Sequence, residues 1–449
     1  MLIHFISLGC DKNLVDSEVM LGIIHGEGYT LTADESAADV IVVNTCGFIA
    51  DANAEGIETI LRMAAYKTEG RCKALVVTGC MAQRYKETLT DEMPEIDAVV
   101  GVSDFEAIGD VIRKAASGER VRLISDNNRP LSEQYGEKRL LSAPAAYAYL
   151  KIAEGCDNCC TYCTIPAIRG KYRSRSMESI VAEAKNLAAQ GVKELIVVAQ
   201  DTALYGMDLY GENRLHALLA ALSAIEGIVW IRLLYAYPEH LTDETIAEMA
   251  SNPKICRYLD MPIQHTDDGV LTRMGRKSNF KQLLGLIEKL RGLMPDISLR
   301  TTLIVGFPGE TDEAFQNLLD AIKQIKFDKL GVFEYSKEDG TAAATMKNQV
   351  PLRVKKRRKA AVMALQQSIS DHIGQSQIGR TFAVVVEGKL PEEGVYCGRS
   401  MRDCPDVDGL VFFEYHGQGD LMTGDFVDVT ITHCSNYDLV GEMRHEFAE

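Results

Sequence analysis

Four cysteines lie within eight consecutive positions of the sequence, at Cys156, Cys159, Cys160 and Cys163. They form two overlapping triples, C-x3-C-x2-C and C-x2-C-x3-C. A structural zinc ion normally takes four ligands, often as two separated pairs, but the next cysteine, Cys256, lies far along the chain. Compact, thiolate-rich loops are typical of iron–sulfur clusters. Three cysteines on a four-iron cluster would leave one iron open for a small molecule.

Three further cysteines follow apolar segments in the first third of the chain. Cys10 follows "LIHFISLG", Cys46 follows "DVIVVNT" and Cys80 follows "KALVVTG", with helical patterns over about residues 13–26 and 51–66. Strands that alternate with helices predict a parallel sheet, and ligands bind at the carboxyl edge of such a sheet. We interpret these cysteines as a second three-thiolate metal site. The alternative is that they are ordinary buried cysteines at strand ends.

The middle of the chain predicts an incomplete (β/α)6 barrel. Six strand-like segments alternate with helical patterns: "YAYLKIAEG", "ELIVVAQD", "VWIRLLYA", "YLDMPIQ", "SLRTTLIVG" and "KLGVFEYS". Active sites of such barrels lie at the carboxyl ends of the strands. The polar, glycine and proline residues that follow these segments are Gln200, Asp201, Thr202, Gln264, His265, Thr301, Gly306, Pro308 and Gly309.

A basic segment, "RGKYRSRS", follows the tight cysteine cluster. It is interpreted either as a contact for an anion or substrate, or as a solvated basic loop. Its charged residues are Arg169, Lys171, Arg173 and Arg175.

The C-terminal residues predict a small OB-like barrel of five short strands, after a basic amphipathic helix. From residue 380 to 449 there are five lysines and arginines against fourteen aspartates and glutamates, a balance of −9 in a chain of net charge −16. OB-like barrels often bind nucleic acid, but a phosphate backbone would be repelled here and a basic protein attracted. We therefore expect no direct nucleic-acid binding by this barrel.

The length of 449 residues predicts two or three domains, which we place at 1–125, 142–372 and 376–445. The predicted fold class is α/β: a Rossmann-like parallel sheet, an incomplete barrel and a small all-β barrel. The sequence has no apolar run long enough to span a membrane and no pattern of a signal peptide. A cytoplasmic location is therefore expected, and the twelve cysteines are expected to form no disulfides there.

The C-x3-C-x2-C spacing, with Tyr162 directly before the last cysteine, resembles the radical S-adenosylmethionine (SAM) superfamily. The resemblance implies that Cys156, Cys160 and Cys163 hold a [4Fe–4S] cluster, that SAM chelates its open iron, and that Cys159 is a bystander. Reduction of SAM would then give a radical that abstracts hydrogen from an unactivated carbon. The predicted SAM contacts are Tyr162, Gln200, Thr202 and Gly306.

The whole chain is similar to the methylthiotransferase family, which combines a three-cysteine domain, a radical SAM barrel and a small TRAM barrel. "SLGCDKNLVDSE" and "CGRSMRDCPDVDG" are similar to the RimO-type branch, although the family pattern usually has alanine where this chain has Cys404. The resemblance implies that Cys10, Cys46 and Cys80 hold a second [4Fe–4S] cluster that carries the transferred sulfur.

The implied reaction adds a methylthio group to the β-carbon of an aspartate in the twelfth protein of the small ribosomal subunit. That substrate is a basic protein, and an external electron donor is expected. No catalytic residue is assigned from the sequence. One alternative is a tRNA-adenosine methylthiotransferase; another, of a different class, is a non-catalytic zinc or iron–sulfur binding protein with an OB-like module.

Overall fold

The computed structural model describes residues 1–142, 146–390, 394–415, 417 and 419–443. Two predictions extend beyond these ranges. One is the domain end at residue 445. The other is part of the C-terminal charge balance, to which residues outside the described ranges contribute: Glu392, Glu393, Arg444, Glu446 and Glu449.

The N-terminal region is built on a parallel sheet of six strands in the order β2-β1-β3-β4-β5-β6. The strands are β1 (Leu2–Ser7), β2 (Thr30–Leu31), β3 (Val40–Thr45), β4 (Ala74–Gly79), β5 (Ala98–Val100) and β6 (Val121–Leu123). The helices are α1 (Asp11–Gly26), α2 (Ala50–Ala64), α3 (Tyr66–Glu69), α4 (Cys80–Glu92) and α5 (Ile108–Ala116). All residues of β3 and β4 are buried, because helices cover the centre of the sheet on both faces.

The prediction of three strands in this region was wrong, because β2, β5 and β6 were missed. Each of these strands has only two or three residues, which is too short for a periodic pattern to appear in the sequence. The three longest strands, β1, β3 and β4, are those that the sequence predicted.

The central region carries the second sheet, six parallel strands in the order β14-β13-β12-β11-β10-β7. The strands of the region, including the separate hairpin β8–β9, are β7 (Tyr147–Lys151), β8 (Ala153–Glu154), β9 (Arg173–Ser174), β10 (Glu194–Val198), β11 (Trp230–Leu233), β12 (Ile255–Asp260), β13 (Ser298–Val305) and β14 (Lys329–Glu334). Because β7 and β14 are its edges, the sheet is an open, incomplete barrel. The six predicted strands are confirmed.

Several helices between these strands begin at a polar side chain that caps them. Asn279 and Gln282 form a capping box on α12, and the side chains of Thr242 and Thr311 accept main-chain N–H groups at the starts of α10 and α13. The helices are α6 (Ile165–Arg169), α7 (Met177–Ala189), α8 (Met207–Tyr210), α9 (Leu215–Ser223), α10 (Asp243–Ser251), α11 (Asp268–Arg273), α12 (Phe280–Leu293) and α13 (Asp312–Ile325). Short 3₁₀ turns lie at Phe105–Ala107, Thr202–Leu204, Pro238–His240 and Ala342–Thr345.

Helix α14 (Leu352–Gln375) leads into a closed five-stranded barrel, ordered β15-β16-β17-β19-β18, as the sequence predicted. Its strands are β15 (Thr381–Leu390), β16 (Val395–Ser400), β17 (Val411–Glu414), β18 (Phe426–Ser435) and β19 (Asp438–Met443). Across the described ranges, helices are either too short or too polar to cross a membrane.

The small barrel packs against the amino ends of the central strands, opposite the edge where active sites form. The Arg399 guanidinium lies 2.8 Å from the carboxylate of Glu194, the first residue of β10. The same carboxylate pairs with Arg232 at 2.7 Å. Phe426 of the barrel contacts Trp230, the first residue of β11, with ring centroids 4.8 Å apart.

Candidate active site

The three N-terminal cysteines lie at the carboxyl edge of their sheet, around the side chain of Asn13. Cys10 precedes α1, Cys46 follows β3 and Cys80 begins α4. The Asn13 amide donates to carbonyl groups just before Cys10 and Cys46, at 3.1 and 3.0 Å, and the Cys80 thiol donates to its Oδ1 at 3.5 Å. A Cβ on Gly9, which has φ +95°, would lie 2.8 Å from the Cβ of Cys46. The glycine therefore allows the first two segments to approach each other.

The tight cysteine cluster follows β8, near the carboxyl end of β7. The Sγ atoms of Cys156 and Cys163 each accept the main-chain N–H two residues later, at 3.4 Å. Cys160 Sγ lies 2.9 Å from the hydroxyl of a tyrosine in the loop after β11. Cys159 is exposed, and its Sγ is directed to the carbonyl of Asp157 at 3.8 Å. The Cys159 side chain is therefore exposed, whereas those of Cys156, Cys160 and Cys163 are buried or half-buried.

One loop, which follows β11, contacts Cys160 and the residues that follow Cys10. Tyr237 provides the hydroxyl beside Cys160 Sγ, at 2.9 Å. Two residues earlier, Tyr235 contacts the residues that follow the first N-terminal cysteine. Its hydroxyl donates to Asp11 at 3.2 Å, and the Lys12 ammonium lies 3.3 Å from its ring centroid. The two predicted metal sites are thus linked through a single short segment.

Arg169, on α6, connects the two regions of the chain through a buried network. Its guanidinium lies 2.7 Å from Asp16 and 3.0 Å from Glu154. The same group donates to Asn13 Oδ1 at 2.5 Å and approaches Cys80 Sγ at 3.3 Å. A positive charge therefore lies directly beside one of the predicted metal ligands.

The basic segment was interpreted as an anion or substrate contact or as a solvated loop, and neither interpretation describes its two most buried arginines. Arg169 and Arg175 are 2% exposed and pair with carboxylates of the protein, Arg175 with Glu183 at 2.5 Å. The sequence did not show these partners because they lie elsewhere in the chain. Only Lys171 is exposed, and Arg173 is half-buried.

The predicted SAM contacts lie in different environments at the carboxyl edge of the central sheet. Tyr162 packs edge-on against Phe307, with centroids 6.3 Å apart. The Gln200 amide donates to Glu154 at 2.8 Å, and its Oε1 is buried without a hydrogen-bond partner among the described residues. Thr202 is fully buried, and its hydroxyl donates to the Leu234 carbonyl at 2.6 Å.

The fourth predicted SAM contact, Gly306, follows β13 with φ +75°. Its N–H donates to the Glu310 carboxylate, and an added Cβ would lie 2.3 Å from Lys355 Cγ. Glu310 is also 3.2 Å from Arg358 and 3.5 Å from the buried ring of His265. Thr202 and Gly306 therefore make contacts that shape the edge of the sheet, and their contact with SAM stays a prediction.

Comparison with known proteins covers all three regions. Residues 2–101 match the uncharacterized protein family UPF0004, residues 150–322 the radical SAM superfamily and residues 378–443 the TRAM domain. The ribosomal protein uS12 methylthiotransferase RimO of Lachnoclostridium phytofermentans is 53% identical over 98% of this chain and 99% of its own. That of Pelotomaculum thermopropionicum is 52% identical over 98% of both chains. The chain belongs to the RimO family of methylthiotransferases.

Solved structures of lower identity share the fold with this RimO family member. TsrM from Kitasatospora setae, a radical SAM methyltransferase solved with cobalamin and a [4Fe–4S] cluster, gives a TM-score of 0.55 at 14% identity, covering 88% of this chain and 80% of its own. The cobalamin-dependent SAM radical enzyme OxsB gives 0.53 at 12% identity, covering 82% and 56%. The predicted family and fold class are confirmed.

Members of the RimO family are radical SAM enzymes that use two [4Fe–4S] clusters and SAM. The two groups of three cysteines supply thiols, the side chains that hold iron–sulfur clusters. Burial raises the pKa of Cys80 and Cys156 to about 11 and that of Cys163 to about 12, so these thiols are uncharged until a metal displaces their protons. Within the described ranges, no group of three or more His, Cys, Asp or Glu side chains lies close enough together to hold a single metal ion.

Sequence reasoning missed several residues that the RimO fold brings to this edge. Asn13 lies three positions after Cys10, on the first turn of α1. This closeness to Cys10 in the sequence is the one signal that could have identified it. Tyr235, Tyr237 and Arg276 carried no motif, although Arg276 stacks on the Tyr237 ring at 3.6 Å.

Proposed function

We propose that this protein adds a methylthio group to the β-carbon of an aspartate in ribosomal protein uS12. The observation that carries the proposal is that one loop contacts both Cys160 and Asp11, the neighbour of Cys10, in a chain that matches uS12 methylthiotransferases over nearly its whole length. When bound, the clusters and SAM would supply hydrogen abstraction, the sulfur and the methyl group. The protein positions these groups and excludes water.

In this proposal each group of cysteines holds one cluster. Cys10, Cys46 and Cys80 would hold the cluster associated with sulfur, and Cys156, Cys160 and Cys163 the one that binds SAM. Support comes from their placement at the carboxyl edges of the two parallel sheets, where ligands of α/β proteins bind. Tyr162, Gln200, Thr202 and Gly306 are the proposed SAM contacts, and Gln200 has a buried oxygen available for one.

We also propose a cytoplasmic location, an external electron donor and no nucleic-acid binding by the TRAM barrel. The acidic balance of the barrel supports the last point, because a phosphate backbone would be repelled. All twelve cysteines are free, which suits a reducing compartment.

The test is a competition between two substrates. Anaerobically reconstituted protein is incubated with SAM, sulfide and a reductant in the presence of both uS12 and bulk tRNA, and each is examined by mass spectrometry. A methylthio mass gain on an aspartate of uS12, absent in Cys10→Ala and Cys160→Ala variants, is the expected result. A gain on tRNA adenosine with none on uS12 would instead establish the tRNA-modifying alternative.

A further inference from the structure

We propose that Lys12, held in place by Asp11 and Tyr235, binds the side-chain carboxylate of the substrate aspartate. The inference rests on the proposed function and names the group that would distinguish an aspartate from other residues. It concerns binding of the substrate and requires no covalent step by these side chains.

The three side chains form a compact unit. The Lys12 ammonium donates to Asp11 Oδ1 at 2.9 Å, and the Tyr235 hydroxyl donates to the same oxygen at 3.2 Å. The ammonium lies over the Tyr235 ring, 3.3 Å from its centroid. The side chains of Lys12 and Asp11 are only 11% and 7% exposed. An ammonium has three N–H groups, and one hydrogen bond to Asp11 leaves two for a ligand.

The unit is incomplete on the side of Asp11. Both hydrogen bonds reach Oδ1, whereas Oδ2 is buried and has no hydrogen-bond partner among the described residues. Leaving a buried carboxylate oxygen unpaired costs free energy, so such groups call for an explanation. A ligand that brings both a carboxylate for Lys12 and an N–H for Asp11 would satisfy the two groups together. An aspartyl residue of a polypeptide has both.

The unit also adjoins residues of both cysteine groups. Lys12 is two residues after Cys10, and Tyr235 is two residues before Tyr237, whose hydroxyl is 2.9 Å from Cys160 Sγ. Tyr235 adopts φ +55°, a left-handed conformation that is uncommon for an aromatic residue and that is found preferentially at functional sites. The Lys12 ammonium therefore lies against the loop that contacts Cys160.

A carboxylate is the group that fixes the reacting atom most directly. In aspartate the β-carbon is bonded to the carboxyl carbon, so holding the carboxylate also fixes the position of the carbon that receives the methylthio group. A charge-assisted hydrogen bond to an ammonium contributes about tenfold in affinity over an uncharged partner. Adenosine offers no carboxylate to Lys12.

The experiment compares binding of two forms of uS12 to the reconstituted full-length protein. Fluorescently labelled uS12 and its variant with asparagine at the modified aspartate are titrated anaerobically, and Kd is measured by anisotropy. The protein variants are Lys12→Gln and Lys12→Arg, with Lys185→Gln, an exposed lysine of α7, as the matched charge control. The ratio of the two Kd values within one variant does not depend on how much of that variant is active.

We expect the unchanged protein and Lys185→Gln to prefer the aspartate form by about tenfold or more. Lys12→Gln should lose that preference, and Lys12→Arg should keep most of it. If Lys12→Gln weakens binding of both forms equally, or of neither, the proposal is overturned while the proposed function stands. If the unchanged protein does not modify uS12, the proposed function itself fails, and this inference fails with it.

Discussion

The guanidinium of Arg169 lies 3.3 Å from the sulfur of Cys80, across the boundary between the N-terminal sheet and the central region. Hydrogen bonds and positive charge at a ligand sulfur stabilise the reduced form of an iron–sulfur cluster. Arg169 therefore bears on the redox potential of the cluster proposed at Cys80. Its carboxylate partners, Asp16 and Glu154, also pair with Lys151. If Arg169 is replaced, these two carboxylates therefore keep Lys151 as a positively charged partner.

We predict that Arg169→Gln shifts the midpoint potential of the N-terminal cluster to more negative values. The measurement is a redox titration followed by electron paramagnetic resonance. It is made in a background with Cys156, Cys160 and Cys163 all changed to alanine, so that one cluster gives the signal. Arg62→Gln, an exposed arginine of α2, is the control. An unchanged potential in Arg169→Gln would show that the contact with Cys80 only joins the two regions.

Adjacent Cys159 and Cys160 provide a matched pair for testing the ligand assignment. Two four-iron clusters give about eight irons per chain. We expect Cys159→Ser to keep that content, because its side chain is exposed and directed to the carbonyl of Asp157. Cys160→Ser should lose about four irons, or leave a labile three-iron form. Iron analysis and Mössbauer spectra decide, and an equal loss in both variants would contradict the assignment.

Arg399 is predicted to hold the TRAM barrel to the central region. Arg399→Met leaves the buried Glu194 with Arg232 alone, and removing one partner of a buried ion pair costs about 3 kcal/mol or more. Trp230 is the only tryptophan of the chain and contacts Phe426 of the barrel. Its fluorescence should therefore change at a lower urea concentration in Arg399→Met.

The control for that experiment is Arg380→Met, an exposed arginine at the start of the same barrel. It should leave the urea midpoint of the tryptophan signal unchanged. Equal midpoints in Arg399→Met and Arg380→Met would show that apolar packing alone fixes the barrel in place.

Acid should release the TRAM barrel. Burial works to raise the pKa of Glu194, but Arg232 and Arg399 outweigh it and hold the pKa below the usual range. Lys329 has the same effect on the pKa of buried Asp403. A depressed folded pKa contributes stability above the unfolded value, here about 4 for both carboxyls, and that stability is lost as the pH falls further.

We therefore expect the Trp230 signal of barrel release to appear below about pH 4. Glu194→Gln should weaken the barrel contact at neutral pH and make the acid transition shallower, because one of the titrating groups is gone. An acid transition of unchanged position and slope in Glu194→Gln would assign it to other carboxyls.

The sequence predicted what depends on local pattern and missed what depends on distant contacts. Six central strands and five barrel strands repeat over enough residues to be seen, whereas strands of two residues such as Thr30–Leu31 do not. Arg169 was open to two interpretations because its partner Asp16 is 153 positions away. Tyr235 was hidden in an apolar segment, and only its backbone conformation and contacts show that it belongs to the site.

The segment between Arg399 and Asp408, part of the sequence that resembles the RimO branch, joins the TRAM barrel to the central strands. Arg399 pairs with Glu194, and Asp408 accepts a hydrogen bond from Tyr258 at 2.7 Å. A chimera that exchanges this barrel for that of a relative would therefore be assembled correctly only if the segment from Arg399 to Asp408 is kept. The outer strands could then be replaced without disturbing the residues at the carboxyl edge of the central strands.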